Sequence, residues 1–82
     1  MVEKTGWLRS AGRAVWRKPS RYRLVQHDRQ GRALTVCFVT GASNLLDPFL
    51  SRQVRLKGKE YWMQGLLYPV VEVETITTVQ GN

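Results

Sequence analysis

Apolar positions along the chain recur mostly with a period of two, and one stretch departs from it. In NLLDPFLSRQVRLKG, residues Asn44 to Gly58, Leu46, Phe49 and Leu50 stand at i, i+3 and i+4. Asp47 is a good N-cap and Pro48 suits the first helical position, so the spacing predicts a short apolar-faced helical turn. The pattern then flips. From Val54, apolar Val54 and Leu56 alternate with polar Arg55 and Lys57 until Gly58 interrupts, the signature of a half-buried strand.

The remaining segments read as strands and turns. Thr5 to Ser10 is a first strand carrying Trp7 and Leu8, with Gly6 suited to a bulge or a close backbone approach. Ala14, Val15 and Trp16 continue it after a break at Gly12, and Pro19 and Ser20 end it. Arg21 to Gln26 alternates, with Tyr22 and Leu24 on one side and Arg21 and Arg23 on the other. His27 to Arg32 is a polar turn that Asp28 opens and Gly31 closes with a positive φ. Ala33 to Thr40, rich in β-branched and aromatic residues and apolar on both faces, is the strongest strand and completes a hairpin. Gly58 to Gly65 reads as a long hairpin or exposed loop, unusually apolar at Tyr61, Trp62 and Met63. Val70 to Ile76 is the last strand, with Val71, Val73 and Thr75 opposing Glu72 and Glu74, and residues 77–82 are expected to fray.

Three strands, a short helix and two strands make a mainly β chain, and closure into a barrel would protect the edges of so small a sheet. The expected fold is a five-stranded OB-like barrel with the helix between strands three and four. Eighty-two residues form one domain, with its core over about residues 5–76. A chain of this length buries only about 60 to 65% of its unfolded surface.

The succession GWL, YRLV with its DRQGR turn, NLLDPFLSRQVRLKG and YPVVEVETI resembles small bacterial OB-like or SH3-like barrel modules. Leu45, Leu50, Val54, Leu56 and Gly58 carry the resemblance, while Ser51 and Arg52 stand where those modules commonly have Gly-Lys. It implies a barrel that serves as a binding module.

Charge adds a direction. The net charge of +7 resides wholly in the first 32 residues, where Lys4, Arg9, Arg13, Arg17, Lys18, Arg21, Arg23, Arg29 and Arg32 face only Glu3 and Asp28; the remainder is balanced. Such asymmetry suits an anionic partner, either nucleic acid or another polyanion. No apolar run approaches the roughly 20 residues of a membrane helix, and the start has no signal-peptide core, so a cytoplasmic location is expected.

The inventory for catalysis is poor. His27 is the only histidine and falls in a polar turn; Cys37, the only cysteine, sits in the apolar run LTVCFV and reads as a buried hydrophobe. Glu72 and Glu74 read as the wet side of a strand, and neither a metal set nor a phosphate loop is present. No enzyme activity, cofactor or metal is expected. Binding has more support, because single-stranded nucleic acid is held by basic grooves with aromatic rings that stack on bases. The expected contact residues are Arg13, Trp16, Arg17, Lys18, Arg21 and Arg23, joined by Lys57, Lys59 and Trp62. In an OB-fold the second and third strands and the loops 1–2 and 4–5 form the ligand face, and the basic stretch from Gly12 to Pro19 and the aromatic one from Lys59 to Gln64 fall at those loops. Trp7 and Tyr22 are expected in the core. The alternative is a structural or protein-interaction module of a larger assembly or envelope protein, meeting a polypeptide by strand addition or through its aromatic loop.

Overall fold

The computed structural model describes residues 1–11 and 21–79. The strands are β1 (Val2–Ser10), β2 (Tyr22–His27), β3 (Ala33–Thr40), β4 (Gln53–Tyr61) and β5 (Val70–Thr78). A four-residue helix, α1 (Ser43–Leu46), runs into a 3₁₀ turn over Asp47–Phe49 between β3 and β4. The sheet closes in the order β1-β2-β3-β5-β4, with β4 returning to β1. Every pairing is antiparallel except β3 with β5. The expected mainly β fold and the position of its helix are both observed, and closure gives each described strand a partner on both sides for at least part of its length.

Two irregularities sharpen the curvature that closure needs. Leu24 and Val25 pair with Cys37 and Thr35, which makes Val36 an extra residue; Lys57 and Gly58 pair with Thr75 and Val73, which makes Glu74 another. The second corrects the expected alternation of the last strand. Val71 and Val73 pack inward, whereas Thr75 is exposed.

The interior is filled by Leu8, Tyr22, Leu24, Cys37, Val39, Leu46, Val54, Leu56 and Val71. Leu46 is the fully buried residue of α1, so the helix acts as a plug. Its start differs from expectation. Asp47 is not an N-cap; α1 begins at Ser43 behind Ala42 and ends on Asp47 as its C-cap, whose side chain accepts a hydrogen bond from the Tyr22 hydroxyl. That bond beside a carboxylate favours the protonated phenol and raises the Tyr22 pKa above its usual value near 10. Burial pushes the Cys37 thiol up to about 11.

β4 does not stop at Gly58. It runs on to Tyr61, because at Gly58 the backbone of β5 comes so close that a Cβ would lie 1.9 Å from the Glu72 carbonyl oxygen. Glycine there permits the pairing rather than ending it. β1 begins at Val2, three residues before the expected start, since Val2 to Thr5 pair with Gly58 to Arg55. β5 likewise extends through Thr77 and Thr78, held by Val54 and Arg55, so these two residues do not fray. The β2–β3 turn forms as expected. Asp28 accepts from the backbone of Gln30 and Arg32 and from Arg32 Nε at 2.9 Å, which lowers its pKa, and Gly31 has φ +80°.

Candidate nucleic-acid interface

The strand registers join five residues in one row around the barrel, of which Val70 is buried. Arg9 of β1 pairs with Arg23 of β2, Arg23 with Phe38 of β3, Phe38 with Val70 of β5, and Val70 with Tyr61 of β4. Directly opposed side chains on neighbouring strands are within about 4.5–5.5 Å at Cβ, so the row is continuous. It begins basic and ends aromatic.

Each member has a local cause. Leu8 and Leu24 point into the core, so strand alternation sends Arg9 and Arg23 outward. The Arg23 guanidinium is held against the sheet by donation from Nη1 to Thr35 Oγ1 at 3.1 Å, and no carboxylate of the described residues pairs with it. Arg9, Arg21 and Arg23 make no ion pair among the described residues. Phe38, half-buried, meets the ring of Tyr68 edge-on, with centroids 6.2 Å apart at 69°. The Phe38 N–H donates to the Pro69 carbonyl at 2.9 Å, which ties the β4–β5 connection to β3.

That connection, residues 62–69, is apolar at its surface: Trp62 is 65% exposed and Leu67 85%, with Met63 and Tyr68 also exposed. It leaves β4 directly after Tyr61 and rejoins β5 at Val70, both in the row. The segment joining β1 to β2 leaves one residue beyond Arg9, after Ser10, and returns at Arg21, whose carbonyl accepts from the Ala11 N–H at 2.8 Å. Both connections expected to flank a ligand face therefore border one row of arginines and aromatics.

The sequence-predicted residues divide accordingly. Arg21 and Arg23 lie on β2 or its threshold, and Trp62 at the far end of the row. Arg13, Trp16, Arg17 and Lys18 fall in residues 12–20, outside the described residues. Lys57 and Lys59 are not brought together with the arginines. They belong to β4, where Lys57 Nζ lies 3.4 Å from Glu3 Oε2 and Lys59 pairs in register with Glu72. Lys59 is thus a strand residue, and the β4–β5 connection starts three residues after it. Tyr22 is buried as expected, whereas Trp7 is half-buried on the outer surface against His27. Sequence reasoning missed Arg9, Phe38 and Tyr68 as site residues. The signal for Phe38 was available: in TVCFVT it alternates with Cys37 and Val39, which fill the interior, so it must face out.

Among the described residues, no three His, Cys, Asp or Glu side chains gather as a metal site, and no helix is long and apolar enough to cross a membrane. No protein-family model, curated protein or solved structure matches the chain.

Proposed function

We propose that this chain is a non-enzymatic binding module of the OB type that holds single-stranded nucleic acid, without strict sequence preference, on the outward face of β1, β2 and β3. The observation that carries the reading is the row Arg9, Arg23 and Phe38, in which two guanidinium groups with no ion pair among the described residues adjoin the half-buried Phe38 ring and the exposed Tyr68 ring packed edge-on against it. Guanidinium groups supply phosphate contacts; Phe38, Tyr68 and Trp62 supply stacking surfaces that accept any base. The strand succession and the helix between β3 and β4 agree with an OB-type barrel, whose ligand face lies on its second and third strands.

The test is fluorescence anisotropy of a labelled oligonucleotide over a range of salt. Engagement of about three to five phosphates gives a slope of log K against log salt of about −2 to −3.5 for a single strand. No binding at low salt removes the proposal. A second reading, a protein-interaction module, is favoured by the exposed apolar side chains of Trp62, Met63 and Leu67, which exceed what phosphate binding requires. Competition separates the two: nucleic acid displaces a polypeptide bound at this connection weakly or not at all under the second reading.

A further inference from the structure

A second outward feature lies one step along the strands from Arg9 and Arg23. Thr5, Gly6 and Trp7 of β1, Gln26 and His27 of β2 and Gln53 of β4 line an open cleft of about 320 Å³. That is at the small end of the range for small-molecule sites, about 300 to 1,000 Å³. The cleft carries no Lys, Arg, Asp or Glu, although the arginine pair is adjacent. Its chemistry is that of an aromatic wall with amides. The Trp7 and His27 rings meet edge-on, with centroids 5.9 Å apart at 76°. Gln53 pairs directly with Trp7 across β1 and β4. Gln26 donates from Nε2 to the Thr5 carbonyl at 3.1 Å, which braces the amide and leaves its oxygen and second N–H for another partner. Gly6 lets β1 and β2 run close together, since a Cβ there would lie 2.6 Å from the Val25 carbonyl oxygen.

An uncharged, amide-bearing cleft with an indole wall suits a planar nitrogen heterocycle and offers a phosphate no cationic partner. The neighbouring arginines have the opposite preference. Trp7 and Arg9 are two residues apart on one side of β1, a separation of about 7 Å, so a base and a nearby phosphate of one strand span them. We infer that the cleft is a base subsite: one nucleobase stacks on Trp7 and meets the Gln26 and Gln53 amides with its edge, while its phosphate lies on Arg9 and Arg23. The inference rests on the nucleic-acid reading and extends the strand's path from Phe38 across β2 onto β1.

The experiment uses the full chain, a 12-nucleotide single-stranded DNA and an abasic oligonucleotide of equal length, at low salt. Trp7→Ala is expected to weaken DNA binding about 5- to 150-fold, the loss of one stacked base, with the salt slope unchanged. Trp7→Phe retains most of the affinity, Gln53→Leu weakens DNA binding, and the abasic chain binds wild type and Trp7→Ala alike. Should Trp7→Ala fail to fold, wild-type NMR decides: the Trp7 indole N–H and the Gln53 side-chain amide shift with DNA and stay in place with the abasic chain. Wild type that binds DNA without those shifts, or a folded Trp7→Ala that binds equally well, overturns the base subsite and leaves the arginine row standing. Failure of wild type to bind either oligonucleotide overturns the nucleic-acid reading and the subsite with it.

Discussion

The outward surfaces of β2 and β4 both carry basic residues, and they differ in what stands opposite them. On β4, Arg55 and Lys57 share Glu3 at 3.7 and 3.4 Å, and Lys59 pairs in register with Glu72. On β2 and its neighbours, Arg23 stands opposite Arg9 and Phe38 and bonds Thr35, and neither it nor Arg9 or Arg21 makes an ion pair among the described residues. Equal content of Lys and Arg thus produces a wall with acids opposite its cations on one side and, among the described residues, a wall of cations without ion pairs on the other. Position across the barrel decides which cations have an acid opposite them, and Lys57 and Lys59, grouped in the sequence with Tyr61 and Trp62, lie on the acid-bearing side.

The contrast has consequences that differ in size. The largest concerns the balanced wall, whose role is structural: Gly58→Ala drives a methyl into the Glu72 carbonyl at 1.9 Å and forces β4 and β5 apart. Backbone atoms cannot yield as a flexible side chain does, so a loss of at least about 4 kcal/mol is expected in urea unfolding. Retention of wild-type stability would show that the two strands do not approach as described. On the other wall the effect falls on binding. Arg23→Ala should weaken a single-stranded oligonucleotide and reduce the magnitude of the salt slope by about 0.7, the share of one phosphate. Lys57→Ala should leave the slope as it is, and equal effects of the two substitutions would erase the distinction between the walls.

Tyr22 links the basic wall to the plug beneath it. Tyr22→Phe removes its hydrogen bond to Asp47 and should lower stability by about 1 kcal/mol at neutral pH. The folded pKa of Tyr22 is raised, so its contribution is fully present below pH 10 and is lost as pH climbs through 10 toward the folded value. The difference between wild type and Tyr22→Phe should therefore shrink above pH 10; Cys37, which also titrates there, is common to both proteins and cancels. A gap that stays constant to pH 12 would place the stabilisation elsewhere.

The smallest effect is on the turn that leads into β4. Ser51 has φ 64°, a left-handed conformation that glycine adopts without a Cβ penalty. Ser51→Gly is expected to raise stability by about 0.5 to 1 kcal/mol in the same unfolding assay, with binding untouched; a loss would mean that the serine side chain contributes a contact of its own.

Much of the architecture was legible in the sequence for reasons these residues make plain. Ala33 to Thr40 matches β3 residue for residue, because a run of β-branched and aromatic side chains with no glycine or proline leaves the backbone no competing choice. Asp28 and Gly31 fixed the turn by local chemistry alone. Asp47 misled, because the rule for N-caps is local and the competing partner, the Tyr22 hydroxyl, is 25 residues away. Gly58 misled in the opposite sense: a glycine inside an alternating run marks either an end or a close approach, and only the position of Glu72 decides. The site was legible in part. Charge asymmetry pointed to the first 32 residues, but the row that joins Arg9, Arg23 and Phe38 depends on cross-strand register, which no single segment encodes.

The most direct test of the contrast is an NMR titration of the wild-type chain with a single-stranded 12-mer at low salt, read residue by residue. The expected result is chemical-shift change concentrated at Arg9, Arg23, Phe38 and Tyr68, with Glu3, Arg55, Lys57 and Glu74 unmoved. Shifts centred on β4 and β5, or none anywhere, would contradict the account.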